Sequence, residues 1–210
     1  MDLPSEGEIR STYDRIAASY AAARSTPYPE VLTFLDRLPS GAHLLDLGCG
    51  HGRHAGPSLE RGHHVIGIDI SQSLIRIASR DLPGVDWAIG SGRAIPLKRG
   101  SVDACICIAV IHHIPTRADR VLVLREIGRV LQPGARVLVS VWDREQPRFR
   151  DATSADLEVA WPLPDGTRVP RFYHVFAEGE LESLVIDAGL HGERFFRSRG
   201  NRFGEARNDG

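Results

Sequence analysis

An α/β fold, with a mostly parallel sheet covered by helices on both faces, is predicted by three features of the sequence. Short apolar runs alternate with helical patterns, one apolar run enters a glycine-rich turn, and the next closes on an acid about 20 residues further on. The chain of 210 residues, 42% of them hydrophobic, has enough apolar material for one full core, so a single domain over 1–210 is expected.

The elements follow in order. Ile9, Tyr13, Ile16 and Tyr20 recur at helical spacing, which predicts a leading helix within 8–26, closed by Pro27. Strands are predicted over 43–47, 64–68, 85–89, 104–110 and 136–141, separated by helices over 53–61, 73–80 and 118–131. Gln132-Pro133-Gly134 ends the last of these helices and turns the chain into the next strand. Segment 143–170 contains Pro147, Pro162, Pro164 and Pro170 with little periodicity, and reads as an inserted loop on the substrate side of the sheet. A helix over 178–188 and two weak strands, 193–196 and 202–206, finish the chain, the last being polar for a buried strand.

Composition narrows the function classes. The formal net charge of −1 provides no global field for nucleic acid, though a local basic stripe would be hidden in that sum. Lys98 is the only lysine among 26 basic residues, and arginine is the better partner for carboxylate and phosphate. Cys49, Cys105 and Cys107 are too few for a disulfide framework, and the acidic start carries no apolar stretch, so a soluble cytoplasmic protein is expected. His51, His54, His63 and His64 cluster locally without the spacing of a metal site, and no metal is expected.

The chemistry is concentrated in Leu44-Leu45-Asp46-Leu47-Gly48-Cys49-Gly50-His51-Gly52, a strand running into a turn where glycines allow close backbone approach to a ligand. A dinucleotide fingerprint needs a third glycine where Arg53 stands, so pyrophosphate binding is disfavoured. Asp46, an acid inside the apolar run, suits a cationic sulfonium or ammonium ligand. Asp69, ending the next strand, can accept both ribose hydroxyls of an adenosine.

The stretch from Asp46 to Gly52, taken with Asp69, resembles the core of the class I methyltransferases that use S-adenosylmethionine, with a Rossmann-like fold. The resemblance implies that Gly48, Gly50 and Gly52 form the turn holding the methionine part, that Asp69 holds the ribose, and that Asp46, Ala109 and Tyr20 lie at the cofactor. The family often places an Asp beside the adenine where this chain has Ser91, a weaker acceptor than a carboxylate.

A narrower resemblance rests on Tyr13-Asp14-Arg15-Ile16-Ala17 with Arg24, the run from Asp103 to His113, the run from Val141 to Gln146, and Arg171-Phe172-Tyr173-His174-Val175-Phe176. These are similar to the tRNA wobble-uridine carboxymethyl methyltransferases, which esterify the carboxylate of 5-carboxymethyluridine, many as heterodimers with a small zinc-ribbon activator. The resemblance implies that His112, His113 and Arg24 act at the methyl-transfer site, and that Trp142 stacks on the base while Gln146 and Arg144 contact the substrate. Contact to tRNA is expected from Arg144, Arg148, Arg150 and Arg171. A small-molecule methyltransferase and a non-catalytic cofactor- or RNA-binding protein remain the alternative readings.

Overall fold

The computed structural model describes residues 2–210. The chain opens on α1 (Glu6–Ala23), fixed at its start by a capping box in which Ser5 accepts from the Glu8 N–H and the Glu8 carboxylate accepts from the Ser5 N–H. Next comes α2 (Pro29–Leu35), a helix the sequence reading does not predict. Seven residues are too few for a periodic signal; Val31, Phe34 and Leu35 hold it by burying against the sheet.

The alternating part then runs β1 (His43–Leu47), α3 (Ala55–Glu60), β2 (His64–Asp69), α4 (Gln72–Asp81), β3 (Asp86–Ile89), β4 (Val102–Ile108), α5 (Arg117–Val130) and β5 (Leu131–Trp142). Four short strands follow, β6 (Asp156–Glu158), β7 (Trp161–Pro162), β8 (Arg168–Val169) and β9 (Phe172–His174). The chain closes with α6 (Glu180–Asp187), β10 (His191–Ser198) and β11 (Asn201–Arg207).

The seven-stranded sheet has the order β10-β11-β5-β4-β1-β2-β3. Strands β1 to β5 are mutually parallel, and β11 and β10 add an antiparallel hairpin beyond β5. The fold is the Rossmann-like α/β architecture that the alternation predicts. From β1 the chain builds outward to β2 and β3, then returns to place β4 on the other side of β1. Connecting segments therefore leave in opposite directions at β1 and β4, which opens a crevice at their carboxyl ends.

β4 is apolar on both faces, as a strand between two helical layers must be. Cys105 and Cys107 point toward α5 and α6, while Ala104, Ile106 and Ile108 point toward α2. The polar strand β11 is the main surprise, since six of its seven residues are buried. Long-range ion pairs resolve its charge: Arg202 meets Asp143 at 3.2 Å, and Glu205 accepts from Arg37 at 2.8 Å. Segment 143–170, read as a loop, carries part of two small antiparallel ribbons, β6 with β9 and β7 with β8. Trp161 anchors the second ribbon on α1, where its indole N–H donates to Ser19 Oγ at 2.9 Å.

Gly67 in β2 has no room for a side chain, because an added Cβ would lie 2.2 Å from the Trp87 ring. Gly67→Ala should cost about 1–3 kcal/mol in urea unfolding, and adding Trp87→Leu should recover part of that loss. An unchanged midpoint for Gly67→Ala would show that the β2–β3 edge repacks freely.

Candidate functional site

β1 ends in a turn whose geometry only glycine takes without strain. Gly48 has φ +69° and Gly50 φ +58°, both in the left-handed region. The Gly48 N–H donates to the Ile68 carbonyl at 2.7 Å, tying the turn to β2. The Gly50 N–H donates to Asp69 Oδ2 at 2.8 Å, and the Ser71 N–H donates to Asp69 Oδ1 at 2.8 Å. Each carboxylate oxygen keeps a lone pair for a further donor, such as a ribose hydroxyl. The cap of α4 is Ser71, which accepts from the Leu74 N–H, so helix capping does not account for Asp69. Asp14 of α1 accepts from Ser71 Oγ at 2.7 Å and from the Ser73 N–H at 2.8 Å, pinning the leading helix over the same corner.

A cavity of about 460 Å³ opens at this corner, and Gly48, Gly50, Asp69, Ala109, Tyr20 and His113 line it. Ala109 has φ +61°, a strained conformation for a residue with a Cβ, and its N–H is fixed on Ser140 at 3.1 Å. Gly52, Asp46, Ser91 and His112 stand behind the wall. Gly52 (φ +84°) packs against Trp87, and a Cβ there would lie 2.7 Å from the indole. Asp46 is buried beneath the turn; burial pushes its carboxyl up to about 7, against a smaller opposing pull from Arg53.

The other side of the cavity is aromatic. Tyr13 Oη lies 2.7 Å from His113 Nε2, and His113 Nδ1 lies 3.0 Å from the Phe172 carbonyl. With Nδ1–H donated to that carbonyl, Nε2 accepts from the phenol. Burial pushes His113 down to about 3, so the ring is neutral at physiological pH. His112 stands further in: its Nδ1 accepts from the Trp142 N–H at 3.1 Å, and its ring braces that of His113 at a centroid distance of 4.3 Å.

Four expected site residues sit elsewhere. Trp142 is in the core, stacked on Tyr173 at 3.8 Å with the Arg148 guanidinium 3.9 Å from its centroid, so neither ring face is open to a base. Gln146 hydrogen-bonds the Gly200 carbonyl and shares a separate shallow cleft with Arg144. Arg24 is exposed, lying over Trp161 at 5.7 Å and outside the cavity lining. Among the histidines of the local cluster, His54 is buried against Tyr28, and the described residues contain no group of three potential metal ligands.

Comparison with known proteins places this geometry. Residues 45–139 match a methyltransferase domain family. The tRNA (carboxymethyluridine(34)-5-O)-methyltransferase of Schizosaccharomyces pombe is 32% identical, over 90% of this chain and 91% of that protein. The chain belongs to the tRNA carboxymethyluridine methyltransferases. The enzyme of the same name from Macaca fascicularis is 40% identical over 66% of this chain but only 20% of its own length. The chain therefore spans about a fifth of that relative. Among solved structures, the CcbJ methyltransferase of Streptomyces caelestis superposes with a TM-score of 0.79 at 17% identity, covering 97% of this chain and 99% of that one. A Haloferax volcanii methyltransferase in complex with the Trm112 methyltransferase activator does so with a TM-score of 0.73 at 18% identity, covering 96% of this chain and 98% of its own. At such identities these two share the fold. The family is one of S-adenosylmethionine-dependent enzymes, and the open turn over Asp69 fits that cofactor.

One arginine that the sequence reading assigns to tRNA contact, Arg171, lies behind the aromatic wall and outside the cavity lining. It is expected to contact tRNA from the loop side; in the structure it is buried, with its guanidinium over the rings of Trp161 and Tyr173 at 4.9 and 5.0 Å. Its Nε lacks a hydrogen-bond partner, and no carboxylate pairs with its guanidinium among the described residues. The only sequence signal was its place in the Arg171–Phe176 run.

Asp46 makes the fold sensitive to pH. Its folded-state pKa lies above the ordinary value of 3.8, so the stability it allows is complete below about pH 4 and is lost as pH rises through about 7. Asp46→Asn should therefore gain up to about 4 kcal/mol over the unaltered chain at pH 8 and nothing at pH 4, read by urea unfolding at both. A gain independent of pH would refute the buried, protonated acid.

Proposed function

We propose that this chain transfers the methyl group of S-adenosylmethionine to the carboxylate of 5-carboxymethyluridine at the tRNA wobble position, giving the methyl ester. The observation that carries this reading is Arg171. A largely buried guanidinium without a counter-ion is costly, and cation–π contacts with Trp161 and Tyr173 offset only part of that cost. It reaches the cavity wall through one intervening ring, since Tyr173 beneath the guanidinium packs on His113 at a centroid distance of 4.4 Å. A substrate carboxylate entering here would meet a bidentate partner.

The chemistry asks little more of the protein. Bound S-adenosylmethionine supplies an electrophilic methyl group on a sulfonium. The acceptor carboxylate is already ionised, so the site needs alignment and exclusion of water, not a strong base. Neutral His113, fixed by Tyr13 and the Phe172 carbonyl, shapes the dry wall past which the carboxylate approaches. Asp69 and the Gly48–Gly50 turn would hold the cofactor's ribose and methionine ends.

A small zinc-ribbon activator is the partner we infer. The Haloferax volcanii neighbour is a methyltransferase complexed with an activator, and the sheet here has edge strands β3 and β10, with Ile89 of β3 47% exposed. Three free cysteines and a tRNA substrate fit a cytoplasmic setting, and none of the described helices is long and apolar enough to cross a membrane.

Incubation of the chain and activator with labelled S-adenosylmethionine and tRNA lacking the modification should give a base-labile methyl ester on the wobble uridine, seen by nucleoside mass analysis. Cofactor binding without label in tRNA would overturn the substrate. Arg171→Met should lower kcat/KM for tRNA about 100-fold or more while leaving cofactor affinity unchanged and melting temperature equal or higher. A destabilised Arg171→Met protein that retains activity would show that the arginine serves the fold.

A further inference from the structure

The site lacks a carboxylate where the base of the cofactor is expected, because the second residue after β3 is Ser91. A carboxylate nevertheless stands there, delivered by a different element. Ser91 Oγ donates to Glu6 Oε2 at 2.7 Å, across 85 residues of sequence. Arg93 Nε donates to the same oxygen at 2.9 Å, while its Nη1 pairs with Asp119 at 3.3 Å. Glu6 sits in the first turn of α1, immediately after the capping residue Ser5, and lines the cavity with Gly90, Gly92 and Ile70. Both donors fall on Oε2, and Oε1 takes no hydrogen bond among the described residues. The side chain is 37% exposed, so it is held in place but open to a ligand.

We propose that Glu6, gripped by Ser91 and Arg93, accepts the hydrogen bond of the adenine exocyclic amine, so that the leading helix carries the base specificity of the cofactor site. The proposal rests on the S-adenosylmethionine reading of the cavity. A carboxylate is acceptor-only and anionic, which makes it a stronger partner for an amine than the Ser91 hydroxyl alone. It also discriminates: an oxo group in place of the amine would set its lone pairs against those of Oε1, leaving a desolvated acceptor unpaired. Arg93 then has a stated task, since its pairs with Glu6 and Asp119 bridge α1 to α5 and fix the carboxylate at the cavity wall.

The test compares S-adenosylhomocysteine with S-inosylhomocysteine, in which the amine is replaced by an oxo group, by calorimetric titration of the full chain. The unaltered protein should prefer the adenosyl ligand about tenfold or more, and Glu6→Ala should shrink that preference to about threefold or less. Glu6→Ala combined with Ser91→Asp should restore it by returning a carboxylate from the strand, a recovery that a merely structural role for Glu6 would not produce. An adenosyl preference unchanged in Glu6→Ala, or absent from the double variant, would overturn the proposal. Failure of S-adenosylhomocysteine to bind the unaltered chain would instead overturn the cofactor reading on which it rests.

Discussion

The hydrogen bond from the Gly50 N–H to Asp69 Oδ2 joins the ends of two neighbouring parallel strands, and the rest of the site is arranged around it. For that bond to form, Gly50 must turn left-handed, and the crevice must open where the order of strands reverses between β1 and β4. The same carboxylate fixes the Ser71 N–H, Ser71 caps α4, and Asp14 of α1 grips both Ser71 and Ser73. A chain of short polar contacts thus runs from the glycine turn to the leading helix, and it sets the distance across the cavity between its cofactor side and its aromatic side.

The two sides are built on different physics. The cofactor side is backbone and carboxylate, rigid because each group already has partners. The aromatic side is dry, with His113 held neutral by burial and a guanidinium kept without a counter-ion at Arg171. Such a cation weakens the fold unless an anion arrives, which is the usual trade between stability and function at a site. A carboxylate substrate gives that arrangement its purpose: it needs no proton removed, only a cation, an aligned path and no water.

Much of this was legible in the sequence because it is local. The apolar runs of β1, β2 and β4, the glycine spacing and the acid at Asp69 each declare themselves within a few residues. What was not legible depends on distant partners. Helix α2 is too short to show a period. Strand β11 reads as too polar for a buried strand because Arg202 and Glu205 find Asp143 and Arg37 only in the folded chain. Trp142 reads as a base-stacking residue, but Tyr173 and Arg148 already cover its ring. Arg171 reads as an arginine for tRNA because nothing nearby in sequence foretells its burial against the Trp161 and Tyr173 rings. Ser91 reads as a loss at the base site until Glu6 is brought to it from the first turn of α1.

In the proposed reaction one carbon passes from a cofactor seated on Asp69 to a carboxylate seated on Arg171. A crystal structure of the chain with S-adenosylhomocysteine and the nucleoside 5-carboxymethyluridine would show whether the two are seated so. The cofactor's ribose hydroxyls should lie on Asp69 and the uridine carboxylate should pair with the Arg171 guanidinium, one oxygen turned toward the sulfur. A uridine carboxylate facing solvent, with Arg171 still unpaired, would contradict it.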